Sequence, residues 1–166
     1  MNLAEIKKTV DSILPSDLEK LKSLVFESDQ IIILGNGGSN AVSCHIAEDY
    51  TKALNKKTLC FGDSSRMSCY ANDYGWENAY QKYIQHFADV KNTLIILISS
   101  SGNSKNIIKC AEYCRDKFKL IVMSGFEETN PLRSQTKGYS SLDFWVDSKD
   151  YGIVECTHEI ILHSII

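Results

Sequence analysis

Along this chain, short unbroken apolar runs alternate with longer segments in which apolar residues recur at every third or fourth position. The runs QIIILG (30–35), KTLCFG (57–62), TLIILIS (93–99), KLIVMSG (119–125) and DFWVDS (143–148) predict strands. Between and after them, residues 41–54, 77–88, 105–116 and 153–166 carry the helical period, whereas 65–76 (SRMSCYANDYGW) reads as a loop. Two further helical patterns, 3–14 and 17–28, precede the first strand, with Pro15 between them and Ser16 as the expected N-cap of the second. Continuous β-branched strands alternating with helices imply a parallel sheet covered on both faces. The expectation is therefore one α/β domain over residues 1–166, a three-layer sandwich with a five-stranded, mostly parallel sheet and an N-terminal helical arm over 1–28.

Composition narrows the function classes. A chain of 166 residues with 43% apolar content can bury one core and is short for two domains. A formal charge of −3, with no Lys/Arg block longer than a pair, leaves no cationic excess for a nucleic-acid backbone. The N-terminal MNLAEIKKTVDSIL mixes charges into its apolar positions, and no apolar run approaches the ~20 residues that span a bilayer. These features predict a soluble, cytoplasmic protein without nucleic-acid or membrane partners. The six cysteines (Cys44, Cys60, Cys69, Cys110, Cys114, Cys156) form no CxxC pair and read as reduced thiols, most of them small buried hydrophobes.

Ligands of parallel sheets bind where strand-to-helix loops meet at the carboxyl ends of the strands. Two such loops are alike here: LGNGGSN after the first strand and ISSSGNSKN after the strand at 93–99. Glycine allows close backbone approach, serine hydroxyls donate without bulk, and the first N–H groups of the following helix face an anion with the positive dipole end behind them. Each loop reads as a phosphate cradle, and neither GxGxxG nor GxxxxGK[ST] is present, which disfavours a nucleotide. His45 and Asp49, four apart on the helix after the first loop, share a face and are spaced to hold one metal ion.

The segments GNGGS (35–39), HIAED (45–49), SCYANDYG (68–75), ISSSGNS (98–104) and the terminal Glu155-to-His163 spacing resemble those of sugar-isomerase (SIS) domains, and within that group the phosphoheptose isomerases. The resemblance runs from residue 35 to the end and implies the SIS fold. It implies that Ser39, Ser99, Ser101 and Ser104 bind a sugar phosphate, with Asn36, Gly37, Gly38 and Ser100 nearby, and that Asn72 and Asp73 contact the open-chain sugar. It further implies a homotetramer, and a zinc or other divalent ion held by His45, Asp49, Glu155 and His163, with Glu155 also near substrate. Proton transfer falls to Asp49 and His163. The activity implied is aldose–ketose isomerisation of sedoheptulose 7-phosphate to D-glycero-D-manno-heptose 7-phosphate through an enediol(ate). The alternative is a non-catalytic SIS protein that binds a phosphosugar or a protein partner, as a replication-initiator-associated member of the group does.

Two positions depart from the family pattern: Asp49 stands where glutamate is expected, and Glu155 where glutamine is expected. Two imidazoles with two carboxylates neutralise a divalent cation, whereas one carboxylate and one amide leave net positive charge. Glu155 and His163 are eight apart, roughly 12 Å of helix rise, so Glu159, four from His163, remains a rival to Glu155 as a ligand. His158 reads as a packing or supporting residue.

Overall fold

A computed structural model describes residues 2–89 and 92–166. The chain runs through α1 (Leu3–Asp11), α2 (Pro15–Glu27), β1 (Gln30–Gly35), α3 (Gly38–Leu54), β2 (Lys57–Cys60), α4 (Ser64–Tyr74) and α5 (Trp76–Phe87). It continues through β3 (Thr93–Ser99), α6 (Lys105–Cys114), β4 (Lys119–Gly125), α7 (Pro131–Thr136), β5 (Leu142–Val146) and α8 (Tyr151–His163). The five strands form one sheet in the order β2-β1-β3-β4-β5, every pair parallel.

Strand alternation sorts the apolar side chains onto two faces. Ile31, Ile33, Ile96, Ile98, Ile121 and Met123 pack with α2, α3 and α8. Their neighbours Ile32, Leu34, Ile95, Leu97 and Val122 pack with α5, α6 and α7. Both faces are thus covered, which is why β1, β3 and β4 have no polar stripe. The chain leaves β1 for the edge strand β2 and returns across it to β3, so the loops after β1 and β3 diverge from adjacent strand ends, with Gly35 beside Ile98. That switch point opens a crevice at the carboxyl end of the sheet.

The structure corrects several boundaries. The arm's second helix starts at Pro15, with Leu14 extended ahead of it and Ser16 inside the first turn, because the residue before proline is pushed out of the α region. The stretch expected as a loop is largely α4: Asp63 Oδ1 accepts from Arg66 N at 2.7 Å, and only Tyr70 of the helix is buried. The short α7 was not foreseen; Asn130 caps it and Pro131 takes its first position. Helix α3 begins at Gly38 rather than at Ala41, so the small residues of GNGGS supply its first turn. All six cysteines are free, yet only Cys110 and Cys114 are buried; Cys69 is exposed. No helix among the described residues is long and apolar enough to cross a membrane.

Candidate active site

The crevice at the switch point holds a cleft of about 320 Å³ lined by Asn36, Gly37, Gly38, Ser39, Ile98, Ser99, Ser100, Ser101, Ser104, Tyr151 and Glu155. Three helices begin around it: α3 at Gly38, α6 at Lys105 and α8 at Tyr151. Neither α3 nor α6 has a side-chain bond from its N-cap residue, so their leading N–H groups remain for a ligand, apart from Asn40 N, which donates to Gly37 O, and Ile107 N, which donates to Asn106 Oδ1. Gly37 lies at φ 56° and Gly102 at φ 65°, in the left-handed region that glycine enters without penalty. The serines are already clustered, with Ser39 Oγ and Ser100 Oγ 3.5 Å apart and Ser99 Oγ donating to Ser104 Oγ at 3.3 Å.

One strut fixes the cradle from behind. Asn36 and Asn106 exchange amide hydrogen bonds, each 2.9 Å, and Asn36 Oδ1 also accepts from Tyr80 O–H at 3.0 Å. Burial pushes the Tyr80 hydroxyl up, which keeps it a donor. Glu155 is the one ionisable side chain of the cleft lining besides Tyr151. It lies over Gly38 so closely that a Cβ there would meet Glu155 Oε2 at 2.1 Å, and burial raises its carboxyl above the usual value.

Further along α3 and α8 is a second group. His45, Asp49 and His163 place ligand atoms within 4.8 Å of one another. Asp49 Oδ2 is 3.3 Å from His45 Nε2 and 3.0 Å from His163 Nε2. The hydrogen bond from His163 holds the Asp49 carboxyl below its ordinary value; desolvation opposes this and the charge of His45 adds to it. The opposite ring nitrogens are committed: His45 Nδ1 to Glu159 Oε1 at 2.6 Å, and His163 Nδ1 to the Glu159 main-chain oxygen at 3.1 Å. Both partners are acceptors, so each Nδ1 carries the hydrogen and each Nε2 of a neutral ring presents a lone pair to a carboxylate that is also an acceptor. A proton or a metal cation must lie between such groups, and the donor set of two imidazoles and a carboxylate suits zinc.

No protein-family model matches the chain. It is 31% identical over 153 residues to the phosphoheptose isomerase of Fusobacterium nucleatum, covering 89% of this chain and 76% of the relative. The chain belongs to the phosphoheptose isomerase family. A second phosphoheptose isomerase, from Buchnera aphidicola, is 32% identical over 133 residues, which is 75% of this chain and 66% of that protein. In fold, the chain matches the phosphoheptose isomerase of Neisseria gonorrhoeae with a TM-score of 0.85 at 21% identity, covering 96% of this chain and 88% of that one. The enzyme from Francisella tularensis matches at 0.84 and 18%, covering 98% and 89%.

Of the residues that the phosphoheptose isomerase resemblance singled out, the fold gathers Asn36, Gly37, Gly38, Ser39, Ser99, Ser100, Ser101, Ser104 and Glu155 in the cleft, and His45, Asp49 and His163 in the cluster. Glu155 is outside the cluster, at Gly38, and Glu159 stands against His45 instead. Asn72 and Asp73 do not line the cleft; they are exposed on the last turn of α4, where Asn72 Nδ2 donates to Asp73 Oδ1 at 2.9 Å. Asn106, Tyr80 and Tyr151 were missed. Asn106 was within reach, two residues beyond Ser104 in a loop already singled out, but nothing around Tyr80 in the sequence ties it to Asn36.

Proposed function

We propose that this phosphoheptose isomerase family member interconverts a phosphorylated ketose and aldose, sedoheptulose 7-phosphate and D-glycero-D-manno-heptose 7-phosphate. The observation that carries the reading is the pairing of an anion cradle with a histidine–carboxylate cluster along the same two helices. The hydroxyls of Ser39, Ser99, Ser101 and Ser104 and the free N–H groups of α3 and α6 hold the phosphate, remote from the reacting carbons. That anchor sets the register of the carbonyl end for proton transfer.

Asp49 and His163 are the proton carriers: one takes the proton from the carbon beside the carbonyl, an enediol(ate) forms, and a proton returns to the neighbouring carbon. With the site metal-free, their hydrogen bond lets the pair share that proton. His45, Asp49 and His163 would hold a zinc ion, which supplies polarisation of the substrate's carbonyl and hydroxyl oxygens. The functional unit is a homotetramer, supported by the exposed Leu3 and Ile160 on α1 and α8, and Asn72 and Asp73 reach the sugar in that assembly.

The test is an NMR time course with sedoheptulose 7-phosphate, after chelation and again with added zinc. Aldoheptose phosphate signals that vanish in His163→Ala support the reading. Binding without turnover under both conditions, in folded protein, overturns it in favour of a phosphosugar-binding role.

A further inference from the structure

Glu159 is the residue of the histidine cluster that neither the cradle nor the proton transfer uses. It touches both histidines in different ways: its carboxylate Oε1 meets His45 Nδ1 at 2.6 Å, and its main-chain oxygen meets His163 Nδ1 at 3.1 Å. The second contact is a side chain reaching back one turn of α8 to a carbonyl near the helix end, where a carbonyl oxygen has a lone pair to spare. These two bonds commit the Nδ1 of each ring to an acceptor and turn both Nε2 atoms to the same oxygen, Asp49 Oδ2, at 3.3 and 3.0 Å, where a cation can take the place of the proton between them. The rings meet edge-on, with centroids 5.0 Å apart and planes at 64°, which leaves the two lone pairs convergent rather than stacked.

We propose that Glu159 is the positioning residue of a three-ligand metal centre made of His45, Asp49 and His163, orienting one imidazole with its side chain and the other with its backbone. The assignment deepens the metal-binding part of the function proposed above and rests on it. Among the described residues, only His45, Asp49 and His163 bring ligand atoms within 4.8 Å of one another; Glu159 stands outside that group, its Oε1 on the Nδ1 of His45, the ring nitrogen turned away from Asp49. Carboxylates that accept from the second nitrogen of a ligating histidine raise its basicity and hold its plane, and their loss costs about 10- to 100-fold in metal affinity.

The experiment is a competition titration of the chelated full-length protein with zinc, and a parallel titration with cobalt(II) followed by its visible absorption. Wild type, Glu159→Ala and Glu159→Gln are compared. Alanine removes the clamp on His45 and leaves the backbone bond to His163, so zinc affinity is expected to fall about 10- to 100-fold. Glutamine keeps an acceptor oxygen without the charge and is expected to recover part of that loss. The cobalt spectrum at saturation is expected to match wild type in both variants, because the ligand set is unchanged. Because the Glu159 side chain is about one-third exposed and belongs to neither apolar core, the metal-free melting temperature is expected to stay at the wild-type value. Unchanged zinc affinity in Glu159→Ala overturns the proposal, and so does a cobalt spectrum that loses a ligand, which would make Glu159 a direct ligand. If wild type itself binds neither ion at one per chain, the metal-centre reading fails and the positioning role with it, a result distinct from the other two.

Discussion

Gly102→Ala tests how the cradle loop is held. Gly102 lies at φ 65°, its N–H donates to Ser99 O at 2.9 Å, and its carbonyl accepts from Leu132 N at 3.0 Å. A Cβ at this position would meet Asn130 Oδ1 at 2.0 Å and Asn130 Cγ at 2.2 Å. Asn130 has little room to retreat, since it is 2% exposed, caps α7 through Arg133 N at 3.1 Å, and donates to Ser124 Oγ and Glu127 O. Alanine in the left-handed region costs about 1 kcal/mol. Loss of the α7 cap costs about 1 kcal/mol more, and each further buried amide bond that breaks another ~1 kcal/mol. With one such bond broken these come to roughly 3 kcal/mol, or about 10 °C in melting temperature for a chain of this size. Gly138→Ala is the control: it also has positive φ, 93°, but no atom stands within 4 Å of its added Cβ, so it should lose only ~1 kcal/mol. Thermal unfolding of both variants, with KM for the phosphosugar, makes the comparison. A Gly102→Ala protein that melts no lower than Gly138→Ala, or that keeps the wild-type KM, refutes the view that Asn130 braces the cradle.

Three further outcomes are expected. Ser101→Ala, which removes one cradle hydroxyl remote from the reacting carbons, should raise KM more than it lowers kcat; steady-state kinetics showing unchanged KM would count against the phosphate assignment. Glu155→Gln removes the negative charge that lies over Gly38, so inorganic phosphate and phosphosugar should both bind more tightly, read as a lower inhibition constant and a lower KM; weaker binding would show that the carboxylate contacts substrate favourably. His158 is fully buried with Nε2 donating to Ser124 O at 3.1 Å, and burial lowers its pKa to about 4. The unfolded chain takes up this proton below about pH 6.5 and the folded chain does not until about 4, so stability falls with pH across that window, by about 2 kcal/mol at pH 5. Urea titrations at pH 7.5 and 5 should show this loss in wild type and a smaller one in His158→Gln, and equal losses would refute the linkage.

The sheet was legible because strands buried on both faces have to be continuous runs, as IIIL and TLIILI are. That the two loops line one cleft was legible for a related reason: glycine- and serine-rich loops ahead of helices at neighbouring strand ends meet at the carboxyl edge of the sheet. Helix α4 was not, because its apolar positions Met67, Tyr70 and Tyr74 are separated by Ser, Asn and Asp, which favour turns in isolation and are tolerated here on an exposed face. The partner of His45 was not legible either. Spacing along α8 leaves Glu155 and Glu159 equivalent, since each sits a whole number of near-turns from His163, and only the register of α8 against α3 separates them.

That register ties the two halves of the site together. His45 meets Glu159 and Asp49 meets His163, a constant offset of 114 residues, and one to two turns earlier Gly38 meets Glu155. Helices α3 and α8 therefore run side by side in the same direction, with both N-termini at the cradle. Positive dipole ends gather at the cleft. The histidines fall two to three turns away, roughly 12 Å along α8 from Glu155 to His163. In the function proposed above, a phosphate at one end with Asp49 and His163 at the other lays an extended substrate along the seam between two helices. The seam also explains why Glu155 and Glu159 cannot exchange roles. A one-turn shift of α8 that brought Glu155 to His45 would draw His163 a full turn past Asp49 and break the bond between them. The packing that closes the sheet's face, with Val42, Ile46 and Tyr50 of α3 against Ile161 and Leu162 of α8, is what forbids that shift. Tyr50 adds a lock to it by donating to Leu162 O at 2.8 Å. The core on this face thus sets the chemistry's geometry: the residues that carry no charge decide which of the charged ones can meet.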